Sequence, residues 1–577
     1  MQQEIKTLKD QLRRGAISRR EFIGRAALLG ISAGSLSSFI AACATTPPST
    51  PAATTNPGAA ATAPKAGTPA PAGQPTPAPA AQIKRGGTLV HSYSLTVPTM
   101  DPHINSSKNQ MFFENVYEGL VGFKIDDPNK PEAKVVGLLA ESWEQKDTKT
   151  LVFRLRKGVQ FHDGSEFDAE AARWNFQRAK EHPKSNYRDN LAFIDTVTAL
   201  DKYTLEIKAK VDTAPMLRLL AYDSGAQVRM MSKAAFEKNG EEWLQRNAVG
   251  TGAFKFKQWI SDDRVITERN PNYYVMGVDG KPLPYLDGAV FRFIPDATVA
   301  LVEQRSGSLH FIEWPLEKDA ASIKGDPNLE LMQMTWNSRG YFQLGFNTKD
   351  APFNDVRLRQ AALYGIDHEG MWKALGFGIG EPWYHPQALK GTLGYDDTVM
   401  KYEYNPAKVK DLLKQAGYPD GISIELLVIA REPERTIGEY AQQMWNAVGI
   451  KTKLNVVERL ATIDACRNYN FQAYFWRGNH GASVIDPENA GNSLACGSAG
   501  NWTMLCDKEI DALMVQGLAE LDTQKRAVIY HNVWQLLQER AYLATGWVSP
   551  VLHSYRKEVR GLTWTFAVAN LSTAWLA

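Results

Sequence analysis

Between residues 138 and 176 the chain changes its hydrophobic period twice. Phe153 and Leu155 alternate with Arg154 and Arg156, the two-residue repeat of a strand with one buried face. Lys157-Gly158 predicts a turn, and Val159 and Phe161 resume the alternation, so a hairpin is expected. His162-Asp163-Gly164-Ser165 breaks the pattern. Asp168 is placed to N-cap a helix from Ala169, with Glu170 favourable in its first turn. Thr204 to Lys208 alternates as a further strand.

The clearest periodicity lies later. Asn405 predicts an N-cap with Pro406 at the first helical position, and Val409, Leu412, Leu413 and Ala416 form an apolar stripe that Gly417 and Pro419 end. Ile422 to Ile429 is a strand rich in β-branched residues. Ile437, Tyr440, Ala441, Met444, Trp445 and Val448 fall at helical spacing within 436–448, and Gly449 stops them. Ile450, Thr452, Leu454 and Val456 alternate again. Strand, helix, strand predicts a βαβ unit and a partly parallel sheet, whose carboxyl ends are where ligands bind. Upstream, Asp355 is expected to cap a helix with Val356, Ala361, Leu363 and Tyr364 toward the core.

With 577 residues and 44% hydrophobic composition, two or three domains with real cores are affordable. A net charge of +2 argues against a nucleic-acid binder. Many of the 15 Trp are expected in the core, but a binding protein also needs aromatic walls in its pocket. At the start, Ser18-Arg19-Arg20-Glu21-Phe22-Ile23 precedes an apolar run from Ala26 to Ala42 and resembles a twin-arginine export signal. Gly, Ser and Ala dilute that run, so it reads as a signal core rather than a membrane span. Ile40-Ala41-Ala42-Cys43 resembles a lipobox, implying a signal peptide over 1–42 and a lipid on Cys43. Gly30-Ile31-Ser32-Ala33-Gly34 matches a serine-hydrolase elbow but lies inside that leader. The stretch 43–83 is dominated by Ala, Pro, Thr and Gly and is expected to be a disordered tether, reaching on the order of 100 Å when extended. Cys496 and Cys506 flank a Gly-Ser loop and could close it as a disulfide, which spacing leaves open; Cys466 is then a buried thiol. No Cys or His spacing suggests zinc, and no metal or cofactor is expected.

Several ordered motifs carry a resemblance. They are Gly86-Gly87-Thr88-Leu89, Asp101-Pro102-His103, Asn115 to Leu120, Ala140-Glu141-Ser142-Trp143 with the stretch from Leu155 to Gly164, Val249-Gly250-Thr251-Gly252, Asn270 to Tyr274, and Phe346-Asn347 with Pro352 to Ala361. Together, over nearly all of Gly86 to Trp547, they resemble the family 5 extracytoplasmic solute-binding proteins of ABC importers, the peptide, nickel and oligosaccharide binders. The resemblance implies an α/β fold with an α+β insert, periplasmic-binding-protein-like of type II, with two large lobes around a cleft plus a smaller third domain. Lobe I would comprise 84–125, 248–345 and 546–577, the domain II insert 126–247, and lobe III 346–545. Function would be hinge closure around a solute, without chemistry, by a lipid-anchored monomer outside the cytoplasmic membrane that serves permease subunits. Asp101 is expected to cap a helix, and Arg357 and Arg359 to form internal ion pairs rather than bind an anion. His162 and Asp163 could form an acid–base pair, but a tight turn explains them better.

The most informative loop is Phe475 to Pro487. In peptide binders of the family it resembles W-x-x-D-Y-P-D-P, whose first Asp holds the peptide ammonium. Aligning Asp486-Pro487 with the final D-P puts Ser483 in that place, so the ammonium anchor is missing and the peptide reading is weakened. Arg477 and His480 suit a carboxylate, phosphate or polar ligand, or else stabilise the loop. Trp383, in a segment that resembles a cleft-facing family loop, and Tyr93, Trp336, Trp476 and Trp502 are candidate aromatic walls. The expected ligand-binding set is thus Tyr93, Trp336, Trp383, Trp476, Arg477, His480, Ser483, Asp486 and Trp502. Alternative ligands are a di- or oligopeptide, an opine, an oligosaccharide or a metal chelate. A chemoreceptor-coupled sensor is a further reading. An exported hydrolase is disfavoured, because no nucleophile–His–acid set stands out.

Overall fold

The computed structural model describes residues 83–577 apart from 105–110, 129, 131–132, 223–225, 432–433, 479–485, 488–493, 499–500 and 566–567; the side chains of 335–343, 476–478 and 544 are likewise left aside. The signal and tether expected over 1–42 and 43–83, with Cys43, lie outside the described residues except for Ile83. Among the described residues, no helix is long and apolar enough to cross a membrane.

One eleven-stranded sheet organises the body. Its order is Ile450–Val457, Ile422–Ile429, Ala473–Gly478, Leu329–Phe346, Leu543–Arg556, Phe311–Glu313, Thr88–Tyr93, Gly288–Phe293, Arg264–Arg269 and Phe254–Ile260, with Glu381–Pro382 pairing onto Leu543–Arg556. Two strands of 18 and 14 residues, Leu329–Phe346 and Leu543–Arg556, run antiparallel through its middle. Leu329 to Met334 pairs with Val551 to Arg556, and Gly340 to Gly345 pairs with Leu543 to Ser549. Between these halves the register shifts twice, on either side of Ser338, which faces Pro550, and it shifts once more between Tyr341 and Gln343. Proline cannot donate to the ladder, and bulges bend a strand where pairing slips. Different cores flank this break. Leu344 and Trp547 belong to a core with Ala361, Trp445 and Phe475, whereas Val548 and Val551 belong to one with Leu89, Phe113 and Phe291.

The βαβ unit forms as its pattern predicts. Ile422–Ile429 and Ile450–Val457 are parallel in register, Ile422 opposite Ile450. The helix between them, Glu434–Ala447, buries Ile437, Ala441, Met444 and Trp445, and the Trp445 indole donates to the Ala362 carbonyl at 2.8 Å. Side-chain caps stand where the sequence places them: Asn405 accepts from the Lys408 N–H, Asp355 from that of Arg357, and Asp168 from that of Ala171.

Four expectations are corrected. The strand Thr150–Leu155 pairs with Ala140–Gln145 before it and Thr204–Ala209 after it, not with residues 159–161. Val159 and Phe161 are buried, but in a tight loop closed by Phe161 N–H to Ser165 and Phe167 N–H to Val159. Alternation reports the buried face and is silent about the partner. Val356 is exposed and Tyr364 only partly buried, because the helix Val356–Tyr364 turns Leu358, Arg359, Ala361, Ala362 and Leu363 inward. Among the described residues Asp101 heads a turn and caps no helix; it accepts from the His103 N–H two residues on and pairs with Arg178 at 2.5 Å. Among the described residues Arg359 makes no ion pair; it donates to the carbonyls of Phe353, Arg540 and Ala541, whereas Arg357 does pair with Asp355.

Candidate functional site

The signature segment is built as a joint. His162 Nδ1 accepts from the Gly250 N–H at 3.2 Å, which leaves Nε2 to donate to the Gly252 carbonyl at 3.0 Å. Burial lowers its pKa to about 4, so the ring is a neutral connector. Asp163 accepts from the Ser165 and Ser232 hydroxyls, each at 2.6 Å. These bonds tie the tight turn to the glycine-rich return, as the turn reading requires. Beside it, Glu118 accepts from the hydroxyls of Tyr273 at 2.9 Å, Tyr274 at 2.8 Å and Thr251 at 2.9 Å. Three separate motifs therefore meet on one buried carboxyl.

The sequence-predicted site residues fall into different surroundings. Tyr93 is buried at the end of the first strand, its ring 5.5 Å from that of Trp314. Trp502 is half-buried against the core of Leu427, Cys466 and Phe471, 6.1 Å edge-on from Tyr474. Asp486 is buried and takes both arms of Arg526, at 2.8 and 2.9 Å; its charge is already matched. Cys496 and Cys506 form a disulfide with Cα atoms 4.4 Å apart, and Cys466 is a buried thiol. The side chains of Trp336, Trp476 and Arg477, and all of His480 and Ser483, lie outside the described residues.

Among the described predicted residues, Trp383 lines a cavity. Its N–H donates to the Gly546 carbonyl at 2.9 Å and its carbonyl accepts from Thr545 Oγ1 at 2.9 Å. Both partners lie on the long crossing strand, and Glu381–Pro382 pairs with Val548 and Trp547 just beside them. The cavity, of about 230 Å3, is walled by Trp383, Tyr384, His385 and Tyr395, with Lys390 and Lys401 among its charged lining. Trp383 and Tyr395 are near-parallel at 5.8 Å, and His385 lies 5.2 Å from Tyr395. Sequence reasoning missed His385 and Tyr395. The signal was present in two aromatic clusters a decade apart, Trp383-Tyr384-His385 and Tyr395-Asp396-Asp397, but nothing local says that they fold together. A second cavity, of about 280 Å3, lies between the helix Ala169–Glu181 and the strand Ile194–Asp201. It is larger but the weaker candidate, because none of the sequence-predicted site residues lines it. Among the described residues, no group of three or more His, Cys, Asp or Glu could hold a metal ion.

Comparison with known proteins agrees with this architecture. Residues 134–502 match the model of the bacterial extracellular solute-binding proteins, family 5. The chain is 29% identical to the dipeptide-binding protein of Escherichia coli over 77% of its own length and 86% of the relative's. It is equally 29% identical to heme-binding protein A of Haemophilus influenzae, over 76% and 82%. The solved structure of HbpA2 from Haemophilus parasuis superposes with a TM-score of 0.73 at 26% identity, covering 85% of this chain and all of the other. Crossing strands, flanking cores, mixed sheet and ordered motifs are those of the periplasmic-binding-protein-like fold, and this chain belongs to the family 5 extracellular solute-binding proteins of ABC transporters.

Proposed function

We propose that the mature chain is a lipid-anchored clamp of an ABC importer, which captures a small polar or anionic solute or a peptide and presents it to permease subunits. The twin-arginine leader exports it, Cys43 carries the lipid, and the tether lets the body reach its permease. It works as a monomer and makes or breaks no covalent bond. Lobe I comprises 84–125, 248–345 and 546–577, lobe III comprises 346–545, and the insert 126–247 is the smaller domain. The observation that carries this reading is the pair of long crossing strands, whose register slips where one core gives way to the other. Such a ribbon bends at the slip and lets two packed bodies close as units. The relatives named for dipeptide and heme binding support a solute of modest size with polar groups. A di- or oligopeptide is the second reading, favoured by the dipeptide-binding relative and weakened by Ser483 at the ammonium-binding position.

Mass spectrometry of the solute that co-purifies, followed by calorimetry with it, tests the proposal. Saturable binding without turnover is expected, and turnover would overturn the non-catalytic reading. Trp383→Ala and Trp476→Ala should each weaken binding about tenfold or more with the fold intact. Unchanged affinity in both would reject this placement of the site. Cys43→Ser should move the chain from the membrane to the soluble fraction of the exporting cell, and retention in the membrane would count against the lipid anchor.

A further inference from the structure

Two residues that line the cavity beside the crossing strand carry donors that no described residue meets. Trp383 and His385 are 5% and 6% exposed. His385 Nδ1 accepts from the N–H groups of Gln387 at 3.2 Å and Ala388 at 2.9 Å. A ring nitrogen that accepts from backbone carries no proton, so the hydrogen of the neutral ring sits on Nε2. Burial, with His531 nearby, lowers the ring's pKa to about 3 and keeps it neutral. His385 Nε2 and Trp383 Nε1 are both buried, and neither has a hydrogen-bond partner among the described residues. Buried donors are nearly always satisfied, by protein, by water or by a ligand. Two such donors, on residues that line one cavity, are therefore half of an interaction.

The charges around them say what completes it. Glu381, Asp396 and Asp397 line the same cavity against Lys390 and Lys401. Asp397 also accepts from the Tyr395 hydroxyl at 2.6 Å, and Asp396 from the Thr398 N–H at 2.7 Å. A carboxylate entering here would meet three like charges, two cations and only neutral donors at the inner wall. A neutral oxygen avoids that repulsion and still accepts both hydrogens.

We propose that this cavity takes a neutral oxygen acceptor of the solute, an amide or other carbonyl group, with Trp383 Nε1–H and His385 Nε2–H as its donors. The inference rests on the solute-binding reading and names the chemistry that one part of the site selects.

The test titrates the full mature chain with N-acetylglycinamide, acetate and n-butylammonium. Each titration follows the indole N–H resonance that Trp383→Phe removes. The amide should shift that resonance, with acetate at least about tenfold weaker and n-butylammonium without effect. His385→Phe, which keeps a ring in place, should weaken the amide about tenfold, and His385→Gln, which restores an N–H donor, should recover part of the loss. Equal binding of amide and acetate, amide binding indifferent to His385→Phe, or no shift with any probe would overturn the proposal. So would a crystal of the amide-soaked protein in which a water, not the amide oxygen, receives both hydrogens. Calorimetry with the co-purified solute separates the two levels. Undiminished binding by His385→Phe would sink the donor pair alone, whereas absence of saturable binding by the unaltered chain would sink the solute-binding reading itself.

Discussion

Glu118 shows how a single buried side chain can hold distant motifs together. Burial pushes its pKa up to about 7, although the hydroxyls of Tyr274, Thr251 and Tyr273 all favour the charged form. The folded chain thus keeps this proton where the unfolded chain has lost it. Between about pH 4.5 and 7 the native state binds more protons at this site, so its contribution makes stability fall as pH rises through that window. Glu118→Gln removes the titration while its carbonyl still accepts from the two tyrosines and its amide can donate to Thr251 Oγ1. The expected outcome is a flatter dependence of the thermal midpoint on pH across that window and a higher midpoint above it. Scanning calorimetry of both proteins from acid to mildly alkaline pH checks this, and parallel curves would show that another group sets the dependence. The glutamate's partners were not legible in the sequence. Asn115 to Leu120, Gly250-Thr251-Gly252 and Asn270 to Tyr274 each stood out as motifs, but the hydroxyl bonds join residues more than a hundred positions apart.

At the scale of elements, legibility followed how local the determining physics is. From Asn405 to Val457 caps, stripe, stop signals and strand alternation all act within a few residues, and helix, strand, helix and strand appear close to their expected bounds. Residues 150–167 failed for the opposite reason, because the partner of Thr150–Leu155 is chosen by packing. The neighbour Thr204–Ala209 lies some fifty residues downstream. The strand Val121–Ile125 goes further and pairs with Trp564, near the end of the chain. A local element should also fail locally. Asn405→Ala removes the side-chain acceptor of the Lys408 N–H at the start of Pro406–Gln415 and should cost about 1 kcal/mol. Urea unfolding should show a lower midpoint with an unchanged slope, and solute affinity should be unaffected; a loss of affinity would mean that this helix takes part in the site.

At the scale of the molecule, a contact joins the proposed insert to the C-terminal half. The Ala214 N–H donates to the Leu518 carbonyl at 2.8 Å. Nearby, burial lowers the pKa of the Arg218 guanidinium, which feels the opposing charges of Asp486 and Arg526. Arg526 in turn donates to Gly517, one residue before Leu518. Asp486, Arg526 and Arg218 are thereby brought to one place. Sequence reasoning assigned Asp486 to the ligand. Its pairing with Arg526, forty positions away, had no local sign. If the crossing strands bend at their register slip, this contact must part whenever the lobes open. Replacing Ala214 and Leu518 by cysteines places two thiols where the backbones already touch. Oxidation should hold the lobes together and slow release of the co-purified solute by about tenfold or more, and reduction should restore it. Stopped-flow displacement of that solute, oxidised against reduced, reads the effect. If a quantitatively formed cross-link leaves the release rate unchanged, the solute leaves without parting this contact, and closure of the insert against the C-terminal half is not what retains it.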